Sequence, residues 1–123
     1  MKTVNLKLPK KTNKKIELFC VSLAGVQYSD YQTCVGIKAG SPLTLTWEKN
    51  NKFDDMAIRV DYYGTKIGYI PKGGNQEVLH AWRDDGVKVT CSVVAYNKTN
   101  PTWHMITVKC EVSTPSNRNL GEF

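Results

Sequence analysis

"NNKFDDMAIRVDYYGTKIGYIP", residues 50–71, sets a polar, acidic loop carrying one aromatic directly ahead of two strand-like runs. In "MAIRVDYY" the apolar Ile58, Val60 and Tyr62 fall on one face at period two, and "TKIGYI" follows as a second short strand. Tyr63-Gly64-Thr65 supplies the tight turn between them, so the stretch predicts a hairpin. Phe53, Asp54 and Asp55 stand at its lip, although the chain as a whole is basic.

The same period runs outward on both sides. Upstream, "KIELFCVSLAGVQY" alternates at first and becomes apolar on both faces toward Val26, as a buried barrel strand would. "SPLTLTWE" places Leu43, Leu45 and Trp47 on one face, behind the punctuation of Gly36, Gly40 and Pro42. Downstream, "VKVTCSVVAY" and "WHMITVKCEV" alternate cleanly around the polar loop "NKTNP", which holds out Trp103 and His104. One segment departs from the pattern. In "GGNQEVLHAWRDDG" Val78, Leu79 and Trp82 make one face of a short helix, with Asn75 as its N-cap and Gly86 as its stop. Trp47 and Trp82 are expected in the core, and His80 is expected partly exposed. The fold class is therefore mainly all-β: a small antiparallel OB-like β-barrel of about six strands with one short inserted helix.

At 123 residues the chain is one domain. Its net charge of +6 is unevenly placed. Residues 1–15 hold Lys2, Lys7, Lys10, Lys11, Lys14 and Lys15 and no acid, which leaves eleven cationic against eleven acidic side chains in the remainder. The division expected is a basic, flexible arm over 1–15, a barrel over 16–112, and a disordered tail or cloning scar over 113–123. A basic arm on a neutral body suits phosphate or another anionic surface. No apolar run is long enough to span a membrane, and the N-terminus has no secretory core. Cys20, Cys34, Cys91 and Cys110 lack the spacing of a zinc framework, and three of them sit in strand-like runs, so reduced buried thiols in a cytoplasmic or nuclear protein are expected, with no metal and no cofactor. Catalytic signatures are also missing. There is no GxSxG elbow, no HExxH and no Walker loop, and neither His80 nor His104 has an evident nucleophile.

The residues "AGVQY" at 24–28 and "PLTLTWEKNNKFDDMAIRVDYYGTKIGYIPK" at 42–72 resemble the HIRAN domain family, across nearly the whole of 16–112. That resemblance implies a modified OB-like barrel that is not an enzyme itself. It also implies capture of single-stranded DNA, preferentially at a 3′-hydroxyl end, in repair or at replication forks. The implied partners are single-stranded DNA or DNA 3′ ends, with a helicase, translocase or nuclease supplying any catalysis. Carried onto this chain, Tyr28 and Phe53 are the stacking rings, with Tyr69 beside them on the return strand. Asp54 accepts the terminal hydroxyl, and Gln27, Lys52 and Lys72 contact the backbone. Asp54 thereby answers the acidic lip: a carboxylate repels a phosphate but accepts from a free hydroxyl. The sequence departs from the family pattern where Gln27 replaces an arginine and Ser29 a second tyrosine. These departures keep open an alternative, a protein-interaction β-barrel with little DNA affinity.

Overall fold

The alternation of the last strand-like run survives folding without a slip: Ile106, Val108, Cys110 and Val112 are buried, and Thr107, Lys109 and Glu111 between them are only half-buried. The computed structural model describes residues 13–115, so the expectations made for 1–12 and 116–123 lie outside it. Six strands form one antiparallel sheet: β1 (Asn13–Ser22), β2 (Pro42–Trp47), β3 (Ile58–Tyr62), β4 (Thr65–Tyr69), β5 (Val89–Tyr96) and β6 (Ile106–Pro115). Their order across the sheet is β1-β6-β5-β2-β3-β4, and helix α1 (Asn75–Asp84) joins β4 to β5. Strand pairing reaches past both expected boundaries, since Asn13 to Lys15 pair with Pro115 to Ser113. Among the described residues no helix is long and apolar enough to cross a membrane.

The sheet does not close through a strand ladder. Its outer edges meet instead at one residue pair, where Ala24 donates its amide to the Tyr69 carbonyl at 2.9 Å and Tyr69 returns the bond at 2.8 Å. Gly68 makes the approach possible. A Cβ at that position would lie 2.8 Å from the Ala24 carbonyl oxygen and 3.1 Å from the Leu23 Cβ. Leu23, Val26, Val60, Ile67 and Val108 fill the interior beneath, each essentially sealed from water. Burying each such side chain contributes about 1.5 to 3 kcal/mol.

Several local expectations change. The first strand ends at Ser22, and Val26–Tyr28 forms a 3₁₀ turn, so Tyr28 sits beyond the sheet edge rather than on a strand end. The hairpin turn is the two-residue Tyr63-Gly64, both with positive φ, the backbone hand that matches strand twist. The N-cap of helix α1 lies one residue earlier than expected: it is Gly74, while Asn75 is the first helical residue and its side-chain amide donates to the Pro71 and Lys72 carbonyls. Gly86 does end it, at φ 77, with its own amide on the Arg83 carbonyl and the Val87 amide on Trp82. The face α1 buries is Gln76, Leu79 and His80; of the expected apolar face Leu79 is buried, but Val78 is exposed and Trp82 is only half-buried rather than in the core. His80 is thus buried, and Trp47 is 39% exposed at the end of β2 instead of in the core. Cys20 is exposed as well, whereas Cys91 and Cys110 face each other directly across β5 and β6. Contact with Cys110 and burial push the Cys91 thiol far above its ordinary range, so it acts as a small apolar side chain.

Candidate nucleic-acid interface

Asparagine and aspartate favour turns because their side chains bond nearby backbone, and the loop between β2 and β3 uses both. Asn51 is its hub. The Asn51 Oδ1 accepts the amides of Phe53 at 2.8 Å and Asp54 at 3.1 Å, while its Nδ2 donates to Glu48 Oε1 at 3.0 Å. Asp54 continues the pattern, accepting the Met56 amide on Oδ1 at 3.0 Å. From behind, the Trp47 indole donates to the Asp55 carbonyl at 2.7 Å, and His80 Nε2 donates to the Met56 carbonyl at 3.0 Å. His80 holds that tautomer because its Nδ1 accepts from Arg83 Nη1 at 2.7 Å. Arg83 also lies over the Trp47 ring, 4.0 Å from its centre. A loop fixed at this many points nonetheless leaves Phe53 95% exposed.

The Asp54 carboxylate is built to stay ionised. Its Oδ2 accepts from the buried Gln76 amide at 2.9 Å, and Lys72 Nζ stands 4.0 Å away. The Gln76 bond first, and the Met56 amide second, hold its carboxyl below the usual carboxylate range. Each oxygen keeps an unused acceptor direction, and 21% of the side chain faces solvent. A depressed carboxyl contributes stability at pH above its unfolded value, and that contribution fades as pH falls through the folded one. Gln76→Leu removes the leading cause, so the Asp54 titration followed by carboxyl-carbon NMR is expected to move up in pH toward an ordinary aspartate; an unmoved midpoint would assign the effect elsewhere.

Tyr69 ties this loop to the closing bridge. The Tyr69 hydroxyl donates to Glu48 Oε1 at 2.8 Å, the same oxygen that takes the Asn51 amide. Burial and that bond raise the Tyr69 hydroxyl's pKa. Burial opposes ionisation of Glu48, but bonds from Tyr69 and Asn51, with the Arg59 charge, hold its carboxyl below the usual range. Arg59 meets Asp61 at two points, Nη2 to Oδ2 at 3.1 Å and Nε to Oδ1 at 3.0 Å, the second an off-line ion pair in which neither atom has another partner. With Glu48 Oε2 at 3.6 Å as well, the Arg59 charge is committed within the protein. Tyr69 is half-buried, with Lys66 Nζ 5.3 Å from its ring centre, so it is less available for stacking than Phe53.

On the other side of the bridge, the chain turns at Gly25, φ 68, where a Cβ would touch the Tyr69 ring at 3.6 Å. The turn it begins presents Gln27 and Tyr28, the latter 82% exposed. Ser29 fastens this turn through its Oγ on the Val26 carbonyl at 2.7 Å. The loop bearing Phe53 and Asp54 is thus bonded through Glu48 to Tyr69, and Tyr69 pairs with Ala24, just ahead of the turn that bears Tyr28; Lys52 and Lys72 are exposed. Asn51 and Gln76 were not singled out from the sequence. Asn51 had a local signal, three residues before Asp54, whereas Gln76 lies 22 residues downstream on a helix.

The family model described as the HIRAN domain matches residues 16–116. The chain belongs to the HIRAN domain family. HIRAN domains are known as DNA-binding modules and are not catalytic on their own. Two solved structures share the fold. A Lactobacillus plantarum protein matches with a TM-score of 0.67 at 23% identity, over 84% of this chain and 99% of that one. The HIRAN domain of human HLTF matches with a TM-score of 0.62 at 14% identity, over 87% and 85%. No curated protein matches the chain by sequence. The family thus accounts for the OB-like sheet with its single helix, and for DNA as the class of partner.

Proposed function

We propose that this HIRAN domain captures the 3′-hydroxyl end of single-stranded DNA. The observation that carries the reading is the pair of large aromatic rings, Tyr28 and Phe53, left 82% and 95% exposed on pinned turns, with the ionised Asp54 carboxylate next along the chain from Phe53. Exposed rings of this size on fixed backbone are suited to stacking bases, at about 1 to 3 kcal/mol each. Asp54 accepts the proton of a terminal hydroxyl through an unused lone pair. The same charge repels a terminal phosphate, so an end is distinguished from a continuing strand. Gln27, Lys52 and Lys72 contact backbone oxygens, and Lys72 also steers the strand past Asp54. Tyr69 holds the loop and turn in register. Partner helicases, translocases or nucleases, and a place in repair or fork processing, belong to the same proposal by way of the family.

Titrating labelled oligonucleotides that differ only in a 3′-hydroxyl or a 3′-phosphate, at low and high salt, tests it. The hydroxyl form is expected to bind more tightly at both salt concentrations, with Tyr28→Ala and Phe53→Ala each weakening both forms about tenfold, the scale of one stacked base. Binding that follows salt but ignores the end chemistry would overturn the reading and assign affinity to the lysines of residues 1–15.

A further inference from the structure

We infer that His80 is a positioning residue for end capture: its neutral ring holds the backbone that aims Asp54, and a proton on that ring weakens selection of the 3′-hydroxyl. This rests on the proposed 3′-end reading and adds its regulation by pH. Gln76, His80 and Arg83 stand at i, i+4 and i+7 on α1, one stripe of polar side chains along a helix face. Gln76 meets the Asp54 carboxylate itself. His80 and Arg83 act on the backbone that follows it.

Two successive peptide units after Asp54 are each gripped at both ends. In the first, the Asp55 carbonyl accepts from the Trp47 indole at 2.7 Å, and the Met56 amide donates to Asp54 Oδ1 at 3.0 Å. In the second, the Met56 carbonyl accepts from His80 Nε2 at 3.0 Å, and the Ala57 amide donates to the Asp54 carbonyl at 3.1 Å. A carbonyl that accepts a hydrogen bond polarises its peptide, which makes the attached amide a better donor. Trp47 and His80 thus strengthen, from behind, both bonds that fix Asp54. Arg83 serves the two together, since it lies over the Trp47 ring and donates to His80 Nδ1.

That last bond needs a bare Nδ1. In the protonated ring both nitrogens carry hydrogen, so Nδ1 would face a guanidinium nitrogen 2.7 Å away, donor against donor and cation against cation. Arg83 already rests its Nη2 on Asp84, so it has a place to withdraw to, and in withdrawing it uncovers Trp47. The other charges facing His80 are Asp54 from the loop, which favours the proton, and Lys88, which opposes it. Lys88 lines with His80 a cleft of about 210 Å³ between α1 and the sheet. Trp47, edge-on from β2 with ring centres 5.0 Å apart, brings no charge.

The experiment titrates oligothymidylates ending in a 3′-hydroxyl or a 2′,3′-dideoxynucleotide against the full chain and His80→Gln, in steps from about pH 8 to about pH 5.5, the range in which histidine gains charge. Neither end titrates there, and Asp54, held below the usual carboxylate range, stays ionised. Wild type is expected to lose about tenfold of its hydroxyl preference across the range, the scale of one hydrogen bond to a charged group, with the midpoint of the loss matching that of the His80 ring followed by nitrogen NMR. His80→Gln carries one donor and one acceptor, as the neutral ring does, and keeps most of the preference at every pH. A wild-type preference that is flat with pH, falls away from the His80 midpoint, or falls equally in His80→Gln overturns the inference while leaving end capture intact. A wild-type protein indifferent to the 3′ group at pH 8 overturns end capture instead.

Discussion

Gly68→Ala is expected to destabilise the domain by about 3 kcal/mol, and Gly68→Val by more, because each forces atoms into a fully packed space. Even a single methyl would lie 2.8 Å from the Ala24 carbonyl oxygen, a distance real Cβ atoms do not tolerate. The obstacle cannot rotate away: it is backbone, and it accepts the 2.8 Å bond from the Tyr69 amide. Leu23 Cβ at 3.1 Å and Val26 Cγ2 at 3.3 Å close the other directions, and both residues are at most 1% exposed. For a domain of this size the loss corresponds to a fall in Tm of roughly 10 to 20 °C. Denaturant unfolding is the measurement, with a lower midpoint at unchanged slope expected. Gly40→Ala is the control. Nothing lies within 4 Å of its Cβ position, so it carries only the strain of φ 90 and is expected to cost about 1 kcal/mol. Equal costs at the two sites would mean that steric approach at Gly68 is unimportant.

On the proposed reading, Asp54→Asn is expected to collapse the preference for a 3′-hydroxyl over a 3′-phosphate by about 10- to 100-fold, the worth of a hydrogen bond to a charged acceptor. Asparagine preserves the loop's shape, since its Oδ1 can still take the Met56 amide, and the Gln76 side-chain amide can turn to present its oxygen to the new donor. What disappears is the negative charge. The phosphate form therefore gains while the hydroxyl form loses, and affinity for the interior of a strand, held by Tyr28 and Phe53, changes little. Asp54→Ala is the harsher variant, because it also removes the cap on Met56. A preserved preference in Asp54→Asn, with an unchanged circular dichroism spectrum, would remove Asp54 from the recognition chemistry.

Features governed by near neighbours were legible in the sequence. Period-two burial in β5 and β6, the hairpin at Tyr63-Gly64 and the helix stop at Gly86 are each local. So was the outline of the acidic lip. What escaped reading depends on distant partners. The Ala24–Tyr69 pair joins residues 45 positions apart and leaves no periodic trace. Helix α1 buries Gln76 and His80 because each bonds the 51–57 loop, and a hydrophobic pattern has no means of marking a polar side chain that is satisfied elsewhere. Trp47 appeared core-facing by alternation, yet it ends β2 at the rim, where Arg83 covers it and the Asp55 carbonyl takes its indole hydrogen. At the candidate site, residue types could be named from sequence, whereas what fixes them in place could not.

The single rung at Ala24 and Tyr69 makes the domain a hoop fastened by one clasp. Tyr28 lies just past one end of the fastening, and Phe53 is laced to the other end through Asn51, Glu48 and Tyr69. On the proposed reading, a strand that rests on both rings straddles the join and braces it from outside.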